Sequence, residues 1–230
     1  MRGWTVVRWT GALGLASVVA QLLALALFAA AGLPPGFDDA TKVLDYVRGG
    51  HFVLTTSLIL LFIAFALLLG FSAGLRAIAV AAAADQEWLA TTTLAAGIAT
   101  AGIGFAGLGL TLTSLAVAVS GHADASLVRG LFEASGVIGG APTLVPLAFY
   151  LGAAGSLGAT ARILPRWLAL EAWIGSALVF LACFSAYGGS DVTAFWSANG
   201  LVTILALLPF YLWMLGASVA LLRAHAQAEV

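Results

Sequence analysis

The sequence predicts an all-α fold, a polytopic membrane bundle of six transmembrane helices forming a single domain over residues 1–230. Three observations carry the prediction. The chain is 62% hydrophobic and 8% charged, against about 25% charged residues in a soluble domain, and its mean hydropathy is +1.09. Its apolar residues gather into six runs, each at or near the roughly 20 residues that cross a bilayer as a helix. Charged residues fall almost entirely between these runs or at their edges. The net charge of -1 and the lack of any basic patch argue against a nucleic-acid partner. The one cysteine, Cys183, lies in an apolar run and has no second thiol in the chain to pair with.

The first span covers about residues 10–32, after Arg2 and Arg8. Ala29, Ala30 and Ala31 imitate a signal-peptidase site, but the run exceeds the roughly 7–15 residues of a signal h-region, so a retained span is expected. Pro34-Pro35-Gly36 ends it. In the loop that follows, Asp38 or Asp39 can cap a short helix. Val43, Leu44 and Val47 would share one side of it, which predicts an amphipathic helix lying at the membrane interface. The second span, 52–75, ends in Gly70 and Gly74 before Arg76, and an Ala-rich connector with Asp85 and Glu87 follows.

The third span, 89–120, carries no charge. Thr93, Gly97, Thr100, Gly104, Gly107, Thr111 and Ser114 recur in alternating steps of four and three. Such a seam of small and hydroxyl side chains lets backbones approach closely in lipid, where packing takes the place of a hydrophobic drive. This span is expected at the centre of the bundle. The fourth span, 131–161, contains Pro142 and Pro146, which remove backbone donors and should kink or break it. The fifth, 167–186, starts behind Pro165, and Trp167 suits an interfacial anchor. The sixth, 192–222, contains Pro209 and closes at Arg223.

Six spans put both termini on one side. Arg2, Arg8, Arg76, Arg162, Arg166 and Arg223 lie in that set of segments and Lys42, Arg48 and Arg129 in the other, so the termini are expected in the cytoplasm. Asp39-Ala40-Thr41 with Val47-Arg48-Gly49 is echoed by Asp124-Ala125-Ser126 with Val128-Arg129-Gly130. Two three-helix halves of inverted topology, as in several transporter folds, would be one source of such an echo.

Motifs for chemistry are sparse. Gly102, Gly104 and Gly107 spell GxGxxG, but mid-helix rather than between a strand and a helix, so no cofactor is expected. His51, His122, Asp124 and Glu133 share one end of the spans and contain the donor types a transition metal takes, without a ligand spacing among them. Gln21 and Asn199 read as interhelical hydrogen-bond partners, and Glu171 as a carboxylate favoured by its own helix N-terminus. Ser135-Gly136 followed by Gly140 resembles the SGxxxG stretch of rhomboid intramembrane proteases. However, Glu133 replaces a glycine of that motif and Asn199 stands where a histidine base would be wanted. A serine without an adjacent base is a weak nucleophile.

Leu164-Pro165-Arg166-Trp167-Leu168, with Arg162 before it and Pro34-Pro35-Gly36 after the first span, resembles a family of small bacterial multi-span integral membrane proteins of unknown function that carry an LPRWL-type motif. The resemblance implies a multi-pass protein of the bacterial cytoplasmic (inner) membrane and transfers no catalytic residues. Three functional expectations follow. The first is a non-enzymatic component acting through a membrane protein partner or as a homo-oligomer, motivated by small-residue faces such as Gly70/Gly74. The second is a carrier or binding protein for a small apolar solute or lipid, with a pocket near Pro142, Pro146, Asn199 and Pro209. A rhomboid-like hydrolase is third.

Overall fold

A computed structural model describes residues 5–227; Arg2 lies outside them. Of the described residues 83% are helical and none is in a strand. Its helices are α1 (Val6–Ala30), α2 (Ala40–Gly49), α3 (His51–Ala82), α4 (Glu87–Ala118), α5 (Ala125–Gly139), α6 (Ala141–Thr160), α7 (Arg166–Ala182), α8 (Leu201–Leu205) and α9 (Leu208–Gln227). Among the described residues six stretches are long and apolar enough to cross a membrane: Val6–Ala30, His51–Ala82, Ala84–Ala118, Ala125–Thr160, Arg166–Gly188 and Leu201–Ala224.

The long helices form a ring in the order α1, α3, α4, α6, α7, α9, with α9 returning to α1. This differs from the expectation of a central third span. The helix α4 is one stave, packed on α3, α5 and α6, while α9 packs on α1 and α7. Aromatic side chains fill the middle instead. Tyr150 of α6 lies edge-on to Trp213 of α9 at 5.8 Å, and Trp213 meets Phe71 of α3 edge-on at 6.1 Å. All three are fully buried, in edge-to-face geometry that suits the ring quadrupoles.

Backbones come close where glycine leaves room. A Cβ on Gly155 of α6 would stand 2.9 Å from the Ala172 Cβ and 3.0 Å from the Ala169 carbonyl of α7. Gly74 and Gly70 of α3 lie against Thr10 and Leu13 of α1. Serine hydroxyls tie the same helices together. Ser17 Oγ donates to the Ala64 carbonyl at 2.8 Å and Ser57 Oγ to the Ala24 carbonyl at 2.8 Å.

Several span boundaries differ from the sequence reading, the start of the fourth among them, at Ala125 rather than Leu131. Helix α3 continues past Arg76 to Ala82, because Ala-rich sequence has the best helix propensity. Arg76 reaches across to α4, its Nη2 2.8 Å from Glu87 Oε1. The fourth span divides into α5 and α6 at Gly140. The sixth begins at Leu201 rather than Val192, since residues 189–200 are irregular.

The amphipathic helix α2 forms as expected, with Asp39 as its N-cap, Oδ1 accepting from the Thr41 and Lys42 amides. Its apolar face meets protein, however, not a lipid interface. Val43, Leu44 and Val47 join Leu54, Leu115, Val128 and Phe132 in a second core. Arg48 Nε donates to the Ala118 carbonyl at the end of α4 at 2.7 Å, and Arg129 Nη1 to the Phe37 carbonyl at 3.1 Å. Asp124 caps α5 as Asp39 caps α2, accepting from Ser126 and Leu127.

Arg8, Arg76, Arg162, Arg166 and Arg223 lie toward the end of the ring where α1, α4 and α7 begin, with Trp9, Trp88 and Trp167 exposed there. Arg162 takes the left-handed conformation, φ 55°, just past the α6 C-cap. The chain reverses there, and Leu164 folds back against Gly158 before Pro165 opens α7.

Candidate functional site

The proline-bearing fourth span and the irregular segment before the sixth meet at one feature. Pro142 has no N–H, so the Ile138 carbonyl four residues earlier loses its helical donor. Thr143 Oγ1 supplies the missing bond at 2.8 Å, which is how a membrane helix tolerates such a break. Pro146 sits inside α6 without ending it. The break thus falls at Gly140, ahead of both prolines.

Residues 189–200 seat themselves on that break. A Cβ on Gly136 would overlap the Asn199 amide, and one on Gly140 would lie 3.1 Å from the Ala198 carbonyl. Ser190 Oγ donates to Glu133, and Asn199 Nδ2 donates to the Ser190 carbonyl at 3.1 Å. Glu133 and Asn199, distant in sequence, therefore meet through Ser190. An Asx turn steadies the segment, Asp191 Oδ1 accepting from the Thr193 amide at 2.8 Å. That amide is the main reason the Asp191 carboxyl titrates below its usual range.

The other sequence-derived residues separate. His51 begins α3, His122 is exposed in the turn after α4, and Asp124 is occupied as the α5 cap. Among the described residues no three His, Cys, Asp or Glu side chains come together. Ser135 Oγ donates to the Phe132 carbonyl of its own helix at 2.6 Å.

The seven residues Thr93, Gly97, Thr100, Gly104, Gly107, Thr111 and Ser114 of α4 are all buried. Gly97 faces Ser72 and Tyr150, Gly104 faces the Phe65 ring, and Gly107 faces Ile138. Ser114 Oγ donates to the Val128 carbonyl of α5 at 3.0 Å. Thr93, Thr100 and Thr111 donate back to Leu89, Ala96 and Gly107 within α4.

Two grooves open on the outside of the ring. The larger, about 470 Å³, lies between α4, α6 and α7. Ala148, Gly152 and Ala153 are among its small lining residues, and Phe149, Trp173 and Phe180 are its aromatic ones. Its hydroxyls are already bonded: Ser176 donates to the Ala148 carbonyl, Thr92 to that of Trp88 and Ser156 to that of Gly152. Trp173 Nε1 in turn donates to Ser156 Oγ at 3.1 Å. With its polar groups satisfied, the surface it offers is apolar. The smaller groove, about 260 Å³, lies between α7 and α9 and includes Pro209 and Glu171. Pro142, Pro146 and Asn199 line neither groove.

Sequence reasoning did not anticipate Ser190 as the link between Glu133 and Asn199, or the Phe71–Tyr150–Trp213 centre. The Asp191-Val192-Thr193 turn signal was the available hint for the first. Nothing in the spacing of isolated aromatics announces the second. No family model matches the chain, no curated protein matches it, and no solved structure matches its fold.

Proposed function

We propose that this is a non-enzymatic multi-pass protein of the bacterial cytoplasmic membrane that binds a small apolar solute or a lipid chain. The observation that carries the reading is the groove between α4, α6 and α7, a depression on the outside of the ring whose hydroxyls are all bonded within the protein. Ligand sites of this kind are concave and mostly apolar. The break at Gly140 is filled by Asn199 and Ala198, so the pocket expected there is replaced by this groove. Self-association loses its original motive, since Gly70 and Gly74 lie against α1 of the same chain.

The reading includes cytoplasmic termini. Arg8, Arg76, Arg162, Arg166 and Arg223 outnumber Lys42, Arg48 and Arg129 at the opposite end, the bias that keeps a segment in the cytoplasm. The likeness to the LPRWL-type family belongs to the same proposal. The experiment is native mass spectrometry of protein extracted from its own membranes. Ala177 is exposed and lines the groove, so Ala177→Trp fills it without entering the core. Bound lipid or apolar ligand should fall at least tenfold in that variant. Equal occupancy in the folded variant refutes the reading.

A further inference from the structure

Glu171 is the one carboxylate on α7, and its surroundings are unusual. Its Oε2 is shielded from solvent and has no hydrogen-bond partner among the described residues, and neither ion pair found there involves it. The helix N-terminus does not account for it. Glu171 is five residues beyond Arg166, the first residue of α7, whereas a helix dipole acts within the first turn. Arg166 is about 140° away around the helix at 100° per residue and points elsewhere. An ionisable group inside a membrane span is costly and marks a functional site by default.

The group lines the smaller groove, whose remaining walls are Trp167, Leu170, Ile174, Gly175, Pro209 and Leu212. Pro209 has no N–H to offer the carboxylate, and the aliphatic residues offer none from their side chains. Trp167 stands one turn before Glu171, on the same face, and is 60% exposed. A carboxylate beside an accessible indole, framed by aliphatic walls, matches one ligand chemistry. A cation meets the carboxylate and the ring face, on which positive charge is attracted, and its apolar body lies along Ile174 and Leu212.

We propose that the α7–α9 groove binds lipophilic cations, with Glu171 as the counter-ion and Trp167 as the aromatic wall. This site is separate from the α4–α6–α7 groove and does not depend on it. The full chain in phosphatidylcholine nanodiscs is titrated with tetraphenylphosphonium, read by an ion-selective electrode against empty nanodiscs. Triphenylphosphine oxide is the neutral counterpart, scored by displacement. The expected result is saturable binding of one cation per chain, weakened at least tenfold in Glu171→Gln and several-fold in Trp167→Ala. Leu212→Trp, which narrows the groove while keeping the charge, should weaken it as well and serves if Glu171→Gln does not fold. Undiminished binding by Glu171→Gln or Leu212→Trp overturns the proposal, as does displacement by the neutral analogue at equal concentration. A loss confined to Ala177→Trp would locate the ligand in the other groove and also overturn it.

Discussion

Two glycines of α4, five residues apart, should respond oppositely to the same substitution. A Cβ on Gly97 would stand 2.7 Å from Ser72 Oγ, 3.2 Å from Ser72 Cβ and 3.1 Å from the Tyr150 ring. A Cβ on Gly102 would meet nothing within 4 Å. Replacing either by alanine gains the same helix propensity, about 0.8–1 kcal/mol, so the difference between the variants isolates the steric contact. Overfilling a packed site costs about 1–3 kcal/mol. Ser72 has little freedom to retreat, because its hydroxyl bonds the Leu68 carbonyl at 2.8 Å and lies 3.2 Å from Tyr150 Oη. Gly102→Ala should therefore match or exceed the parent, and Gly97→Ala should fall below Gly102→Ala by about 1–3 kcal/mol. In thermal unfolding in detergent that corresponds to several degrees, at about 2–4 °C per kcal/mol for a chain of this size. Equal midpoints for the two alanine variants would refute the claim that α4 meets α3 and α6 through Gly97.

Two further outcomes are expected. Arg129→Met removes the bond to the Phe37 carbonyl, a charge-assisted contact worth about 1.5–3 kcal/mol. Amide exchange across α2 should then accelerate while α6 is unchanged. The Asp39 carboxyl is held below its usual value of 3.8, first by the Lys42 amide; a lowered value means the charged cap stabilises α2 fully above pH 3.8 and ceases to as pH falls through the folded value. Protection of the Thr41 and Lys42 amides should decline below about pH 4 in the parent and stay flat in Asp39→Asn.

The apolar runs disclosed the helices because a bilayer demands length and hydropathy, and both are written locally. Boundaries were harder where tertiary contacts decide them. Val192 to Ala198 is apolar enough to read as helix, yet Asp191 and Thr193 close an Asx turn and Gly188 and Gly200 admit carbonyls at a range no Cβ permits. The division of span four was legible in kind, from Pro142, but its position at Gly140 depends on Ala198 arriving from a distant segment. For α2 the apolar stripe was plain. Whether lipid or protein would cover it depended on α5, which arrives some eighty residues later in the chain and carries Val128 and Phe132. The partner of Glu133 could not be read at all, because Ser190 is 57 residues away and belongs to no motif.

The echo between Asp39-Ala40-Thr41 and Asp124-Ala125-Ser126 has a structural sense that three-helix halves do not give it. The two segments stand two spans apart, pack on each other and use the same aspartate cap. Two spans is the length of a hairpin, so the unit is α1–α2–α3 and then α4–α5–α6. Asp191-Val192-Thr193 begins a third outer segment, between α7 and α9, with its own aspartate turn. There the capped amphipathic helix is missing. Residues 189–200 stay irregular and lie on the break in the second unit, so that α9 starts only at Leu208, with Pro209 against Gly175. A full-length returning helix with a regular turn would be expected to pack along α7 as α3 packs along α1. The helices α7 and α9 are in looser contact than the other two hairpins, and Glu171 lines the groove along their seam, between the Leu168–Gly216 and Gly175–Pro209 contacts.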